Sequence, residues 1–429
     1  MSALTPSASS ENSNSPRGFR KDPYEAFRHV DYRRFITVRG LFAMGSQMQT
    51  AAVGWLLYER LASVMALAYV GLVQVVPILI LALPAGHLAD HFDRKKIVML
   101  GQVLFAICSL GLTYLSVTNG SPGLIYLFLF LIALSRVLTI PAISAIVPTI
   151  IPKSLWASAA SWNSTIFELS GLLGPALAGV IIAKTGGATA VFISTALMSL
   201  ICFLLFSKIK PSQTFGPRKS VSLIDFVEGL RFVFRTRLLL AAASLDLFAV
   251  LLGGATALTP AIAKDVLHVG PQGFGLLRAA PSIGAIAMAL LSAHLPPWKN
   301  AGKVLLFAVL GFGAANVIFG LSTNYALSIA MLILTGVFDN LNVVIRQTLI
   351  QFITPDSMRG RVGSVSFIFI GCSNELGALE SGVAARWLGI GSSIIWGGLA
   401  SMAIVAGVAW GYPPLRKLGK LQDVQSASV

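Results

Sequence analysis

Along the chain, apolar runs alternate with short polar joints, and each run is close to the 20 or so residues that a membrane-crossing helix needs. Twelve such runs follow one another, spans 1 to 12, at 35–58, 64–89, 97–118, 122–147, 157–183, 187–207, 238–262, 272–295, 302–321, 325–352, 362–388 and 391–412. Most joints carry turn residues, such as TNGSPG at 118–123. One joint is different. From 208 to 237 the chain is polar and basic, and SLIDFVEGLRFVFRTR within it has the two-faced pattern of a helix lying on a membrane surface. The pattern predicts an all-α membrane protein in five parts: a tail (1–34), a six-helix bundle (35–207), a basic amphipathic linker (208–237), a second six-helix bundle (238–412) and a tail (413–429).

Composition narrows the function classes. Of 429 residues, 55% are hydrophobic and only 11% charged, which excludes a soluble enzyme. The charges are lopsided, 32 Lys and Arg against 17 Asp and Glu, for a net charge of +15. In a soluble protein that excess would suggest nucleic acid. Set against the spans, 24 of the 32 cations fall on the side of the two tails and the central joint, and only Arg60, Lys184, Lys264 and Arg386 fall on the other. Such alternation is the positive-inside pattern, so both termini are expected in the cytoplasm and no nucleic-acid partner is expected. The first twenty residues lack the apolar core of a cleaved signal, so a retained tail is expected. Cys108, Cys202 and Cys372 lie far apart in apolar runs, with no metal-ligand or disulfide spacing. No phosphate-binding loop is present, and no cofactor is expected.

The two halves repeat. YVGLVQVVPILI at 69–80 aligns with GFGLLRAAPSIG at 273–284, pairing Gly71 with Gly275 and Pro77 with Pro281. A second stretch pairs Pro152 with Pro355, Gly174 with Gly377 and Gly179 with Gly382. Six helices per unit make the copies parallel, and such repeats suit a transporter that rocks one half against the other about a midplane site.

Between spans 2 and 3 stands GHLADHFDRKK, at 86–96. With twelve spans and a six-plus-six repeat, this segment resembles the loop 2–3 signature of the major facilitator superfamily, matching it at Gly86, Leu88, Ala89, Asp90, Arg94 and Lys95. Gly86 is expected to let span 2 pack closely on a neighbour. The resemblance implies a loop that latches the outward-open state and releases it during the cycle. The equivalent segment of the second half, SAHLPPWKNAGK at 292–303, has lost the pattern, with His294 opposite Asp90 and Trp298 opposite Arg94. In span 5, GLLGPALAG with Gly171, Gly174, Pro175 and Gly179 looks like the glycine–proline motif of the superfamily's exporters. Other stretches resemble the branch of enterobactin and macrolide exporters. The helix 4 motif is poorly kept, since Ile140 and Pro141 follow Arg136, which weakens a proton-relay role carried over to that arginine.

Ionisable residues inside spans cost about 2.5–3.5 kcal/mol each on insertion scales and normally face the bundle interior. The acids are Glu168, Asp246, Asp339, Glu375 and Glu380, and the bases Arg39, Arg136, Arg278 and Arg346. On span 10, Thr335, Asp339, Asn342 and Arg346 are spaced to share one helical face. Span 1 carries a second polar stripe, Arg39, Ser46, Gln49 and Thr50. Asp339 and Glu168 are the preferred proton or substrate sites, with Asp246, Arg136, Arg346, Asn342, Arg39 and Arg278 around them. Trp55, Tyr58 and Tyr69 are candidates to stack on a planar cargo or to anchor at the interface.

The expectation is a monomeric, proton-coupled exporter of a small amphipathic molecule in a bacterial inner membrane, with small-molecule substrate, protons and the lipid bilayer as partners. An importer on the same fold is the alternative. A receptor or lipid-acting membrane enzyme stands further off, because no nucleophile–His pair or metal-spaced set is visible.

Overall fold

The structure, a computed structural model, describes residues 24–210, 223–294 and 299–419. It is helical throughout, with no strand among the described residues. The spans fall at Val30–Leu61, Val64–His91, Arg94–Val117, Pro122–Ile150, Trp156–Thr185 and Thr189–Ser207 in the first half. In the second half they fall at Arg237–Leu252, Pro271–His294, Ala301–Leu321, Tyr325–Ile353, Arg359–Leu388 and Ile390–Gly411. Between the halves lies a surface helix, Leu223–Arg235.

Among the described residues, eleven helices are long and apolar enough to cross a membrane. Span 1 falls outside that set because Ser46, Gln47, Gln49 and Thr50 dilute its apolar stretch, although its 32 residues make it one of the longest helices. It begins five residues before the expected start, because polar Asp31, Arg33 and Arg34 carry helix past the apolar run. Span 7 departs further. Regular helix ends at Leu252, Gly253 and Gly254 interrupt it, and short helical turns continue to Val266. The first part of the linker (211–222), most of the N-terminal tail, the residues from 420 onward and Trp298 lie outside the described residues.

Local chemistry sets several ends. Asp93, which stands where the family loop has a glycine, caps span 3 by accepting the Lys95 N–H at 2.9 Å. Arg60 donates to the Leu115 and Ser116 carbonyls at the other end of that span, at 3.0 and 2.9 Å. A cation there complements the negative end of the helix dipole.

The internal repeat reappears as packing. Span 5 lies on span 8 of the other half, and span 11 on span 2. A Cβ on Gly275 would stand 2.6 Å from the Pro175 carbonyl oxygen, and one on Gly382 would stand 2.6 Å from the Ala68 Cβ. Gly71 and Gly179 are equally tight, against the Glu375 and Pro271 carbonyls. Within each half the pattern repeats: Gly174 packs on Gln47 of span 1, and Gly377 on Val250 of span 7. Small residues thus bring backbones together at four symmetry-related places.

All these contacts between halves lie toward the end remote from the termini. There Trp55 packs on Phe274, with ring centroids 5.3 Å apart, and the Tyr58 hydroxyl donates to the Asp265 carboxylate. Toward the terminal end several glycines are uncrowded. A Cβ on Gly86, Gly360 or Gly363 would meet nothing within 4 Å. The close packing expected at Gly86 is therefore not seen in this conformation.

Candidate functional site

The polar residues of span 10 meet span 7 inside the second half. Asn342 Nδ2 donates to Asp246 Oδ1 at 2.8 Å, and Arg346 Nη2 pairs with Asp246 Oδ2 at 3.2 Å. Both members of the ion pair are 5% exposed. A buried pair is only marginally stabilising, but losing one partner is costly, because the other is left charged without water. Two atoms of this cluster, Arg346 Nε and Asn342 Oδ1, are buried without a hydrogen-bond partner.

Asp339 lies one turn from Asn342. It is half-buried and within electrostatic reach of Asp246, Arg346 and, across the gap between halves, Glu168 of span 5. Neither Asp339 nor Glu168 has a salt bridge or hydrogen bond through its carboxylate among the described residues. Asp246 and Asp339 therefore share one guanidinium.

A second cluster has the opposite balance. Glu375 of span 11 lies in the field of Arg136 from span 4 and Arg278 from span 8. Arg136 also donates to Gln74 Oε1 at 3.4 Å, and Arg278 to the Thr256 carbonyl at 2.9 Å, where span 7 is broken. Arg39 is apart from both clusters: its Nε donates to Asn163 Oδ1 of span 5 at 2.9 Å.

Both clusters draw residues from the two repeated six-helix units. A family profile described as transmembrane secretion effector matches residues 22–427. The chain belongs to that family of the major facilitator superfamily. It is a multi-pass membrane transporter of small molecules, not an enzyme. Among its relatives, the multidrug efflux pump Tap of Mycolicibacterium fortuitum is 25% identical over 87% of this chain and 93% of the pump. The enterobactin exporter EntS of Citrobacter koseri is 26% identical over 80% of this chain and 81% of the exporter. A solved structure of a bacterial homologue of the human lysosomal transporter Spinster, inward-facing and unoccupied, superposes with a TM-score of 0.65 at 14% identity, covering 90% of this chain and 96% of that one.

The facilitator loop between spans 2 and 3 is tied down on the terminal side. Arg94 Nη1 donates to the Ala145 carbonyl of span 4 at 3.3 Å. Lys95 Nζ donates to the Ser207 and Ile209 carbonyls at the end of span 6, at 2.5 and 2.7 Å. The side chain of Asp90 lies outside the described ones. In span 5, Gly171 faces Ser282 of span 8, Gly174 faces span 1, and Pro175 and Gly179 face Gly275, so the exporter-like string spreads over two neighbours.

Two residues proposed for stacking on cargo are already engaged. Trp55 and Tyr58 are buried where the halves meet, and only Tyr69 stays exposed, edge-on to Tyr126 with ring centroids 6.0 Å apart. The residue that sequence reasoning passed over is Asp265. Its signal was present: Glu59 and Asp265 are the two acids in the joints remote from the termini.

Proposed function

We propose that this transporter is a proton-coupled exporter of a small amphipathic molecule, working as a monomer in a bacterial inner membrane with both termini in the cytoplasm. The observation that carries the reading is that Asp339, beside the Asp246–Arg346 ion pair, also lies in the field of Glu168 from the opposite half. With Asp339 and Glu168 both ionised, like charges face each other across the gap in a medium of low dielectric, where repulsion is many times stronger than in water. A proton taken up by either acid removes that repulsion and allows the halves to approach at this level. Release of the proton restores it. Proton occupancy thus biases the rocking equilibrium, which is what coupling requires.

In this topology the open space around Gly86, Gly360 and Gly363 supports a conformation that opens to the cytoplasm. The loop 2–3 latch is disengaged in that state, which agrees with the empty space around Gly86. Proton release to the cytoplasm and cargo entry would occur here; proton entry and cargo release would occur with the opposite end open. Export rather than import is favoured by the efflux relatives.

The test is cargo movement in inverted vesicles energised by a proton gradient, after a screen of a deletion strain against antibiotics and siderophores has supplied a cargo. Glu168→Gln and Asp339→Asn are each expected to insert normally and lose gradient-driven accumulation. If both keep wild-type dependence on the gradient, the coupling acid lies elsewhere.

A further inference from the structure

A pocket opens in the second half between spans 7, 10 and 11 and the surface helix. Its walls are apolar, with Val233 and Phe234 from the surface helix, Leu240 and Ala243 from span 7, and Val365 and Phe369 from span 11. Polarity enters through Ser244 and Ser366 and through the Asp246–Arg346 pair, which also lines it. The surface helix is a fixed wall. Arg361 of span 11 binds Asp225 at 2.7 Å and Glu228 at 2.6 Å, and the Arg361 backbone would crowd any Cβ on Gly229 at 2.8 Å.

The polar end is unequally satisfied. Both Asp246 oxygens are engaged, one by Asn342 and one by Arg346. Arg346 Nε, by contrast, is a buried donor with no acceptor; the cluster's unmet acceptor, Asn342 Oδ1, belongs to a residue outside the pocket's lining. Leaving such a donor unmet is costly, most of all for a charged group. An apolar enclosure ending in one spare donor is suited to a lipophilic body with a hydrogen-bond-accepting head. A cationic head would meet a guanidinium and no free carboxylate oxygen of Asp246.

We infer that this pocket is a binding site for an amphipathic molecule whose acceptor head, a carboxylate or carbonyl, lies at Arg346 and whose apolar body lies against the surface helix. The site goes beyond the transport reading. Its test measures occupancy and not flux, so failure of either proposal leaves the other standing.

The experiment photolabels the full chain in lipid nanodiscs with two probes that share a diazirine-bearing alkyl tail, one ending in carboxylate and one in trimethylammonium. The carboxylate probe is expected to label the peptides containing 233–247 and 362–369, and decanoate should compete. Ala243→Trp, which fills the pocket, should reduce labelling by at least about tenfold, the change that about 1.4 kcal/mol of binding free energy produces. Should that variant fail to fold, Ser366→Phe fills the pocket from the opposite wall. A phospholipid with the diazirine in its acyl chain identifies the source. Labelling of the same peptides by that lipid supports the site with a bilayer occupant, and labelling by the free carboxylate alone supports it with a soluble one. Equal labelling by both head groups, or labelling unchanged in a folded filled variant, overturns the inference.

Discussion

Asp246 and Arg346 illustrate how little a single residue reveals of its partner. Charge is so scarce inside the spans that Asp246, Asp339, Arg346 and Glu168 each stand out in the sequence. What the sequence does not carry is that Asp246 closes on Asn342 and Arg346, because that depends on the distance and rotation between two separate helices. The spacing along span 10 alone left Asp339 and Arg346 two turns apart and unpaired. Replacing Asp246 by Ala strands a buried guanidinium, and the expected loss is about 3–5 kcal/mol, read from thermal melting of the purified protein. Replacing both partners, Asp246→Asn with Arg346→Gln, should recover most of that loss. If the single and double variants melt alike, the pair contributes no coupling energy.

At the scale of elements, the glycines matter more than the charges. The alignment of Gly71 with Gly275 and of Gly179 with Gly382 was legible as a repeat, but its meaning as two equivalent seams between halves was not. A glycine in an apolar helix marks close approach without saying to what. Likewise, the break of span 7 at Gly253 and Gly254 was hidden by the continuous apolar run around it. Gly71→Leu should force span 2 off the Glu375 backbone and open the end remote from the termini. In a background where Cys108, Cys202 and Cys372 are replaced, a cysteine at buried Ala261 reports this by its reaction with an impermeant maleimide. Tyr58→Phe, which removes the hydrogen bond to Asp265, should raise the same reaction rate by a smaller factor. Unchanged labelling in both would mean that neither contact holds that end shut.

For the whole molecule, the six-plus-six architecture was readable because hydropathy, charge alternation and repeat all gave the same answer. The direction in which the halves tilt was not, since one sequence must serve both states of a rocking transporter. Asp90→Ala tests the swing between them. Arg94 and Lys95 bind the loop to spans 4 and 6 of its own half, and the family resemblance gives Asp90 the part that serves the other state. The variant is expected to reach the membrane at wild-type abundance and to lose most efflux. Normal efflux at full expression would remove the loop from the cycle.

The glycine seams have a mechanical consequence. Helices that touch backbone to backbone at one end form a hinge with a short arm on one side and a long arm on the other. A helix of 20 residues is about 30 Å long, so each ten degrees of tilt widens the far mouth by about 5 Å. The aperture, and with it the largest cargo that can enter, is therefore governed by side-chain volume at Gly71, Gly179, Gly275 and Gly382, residues that no cargo need ever touch.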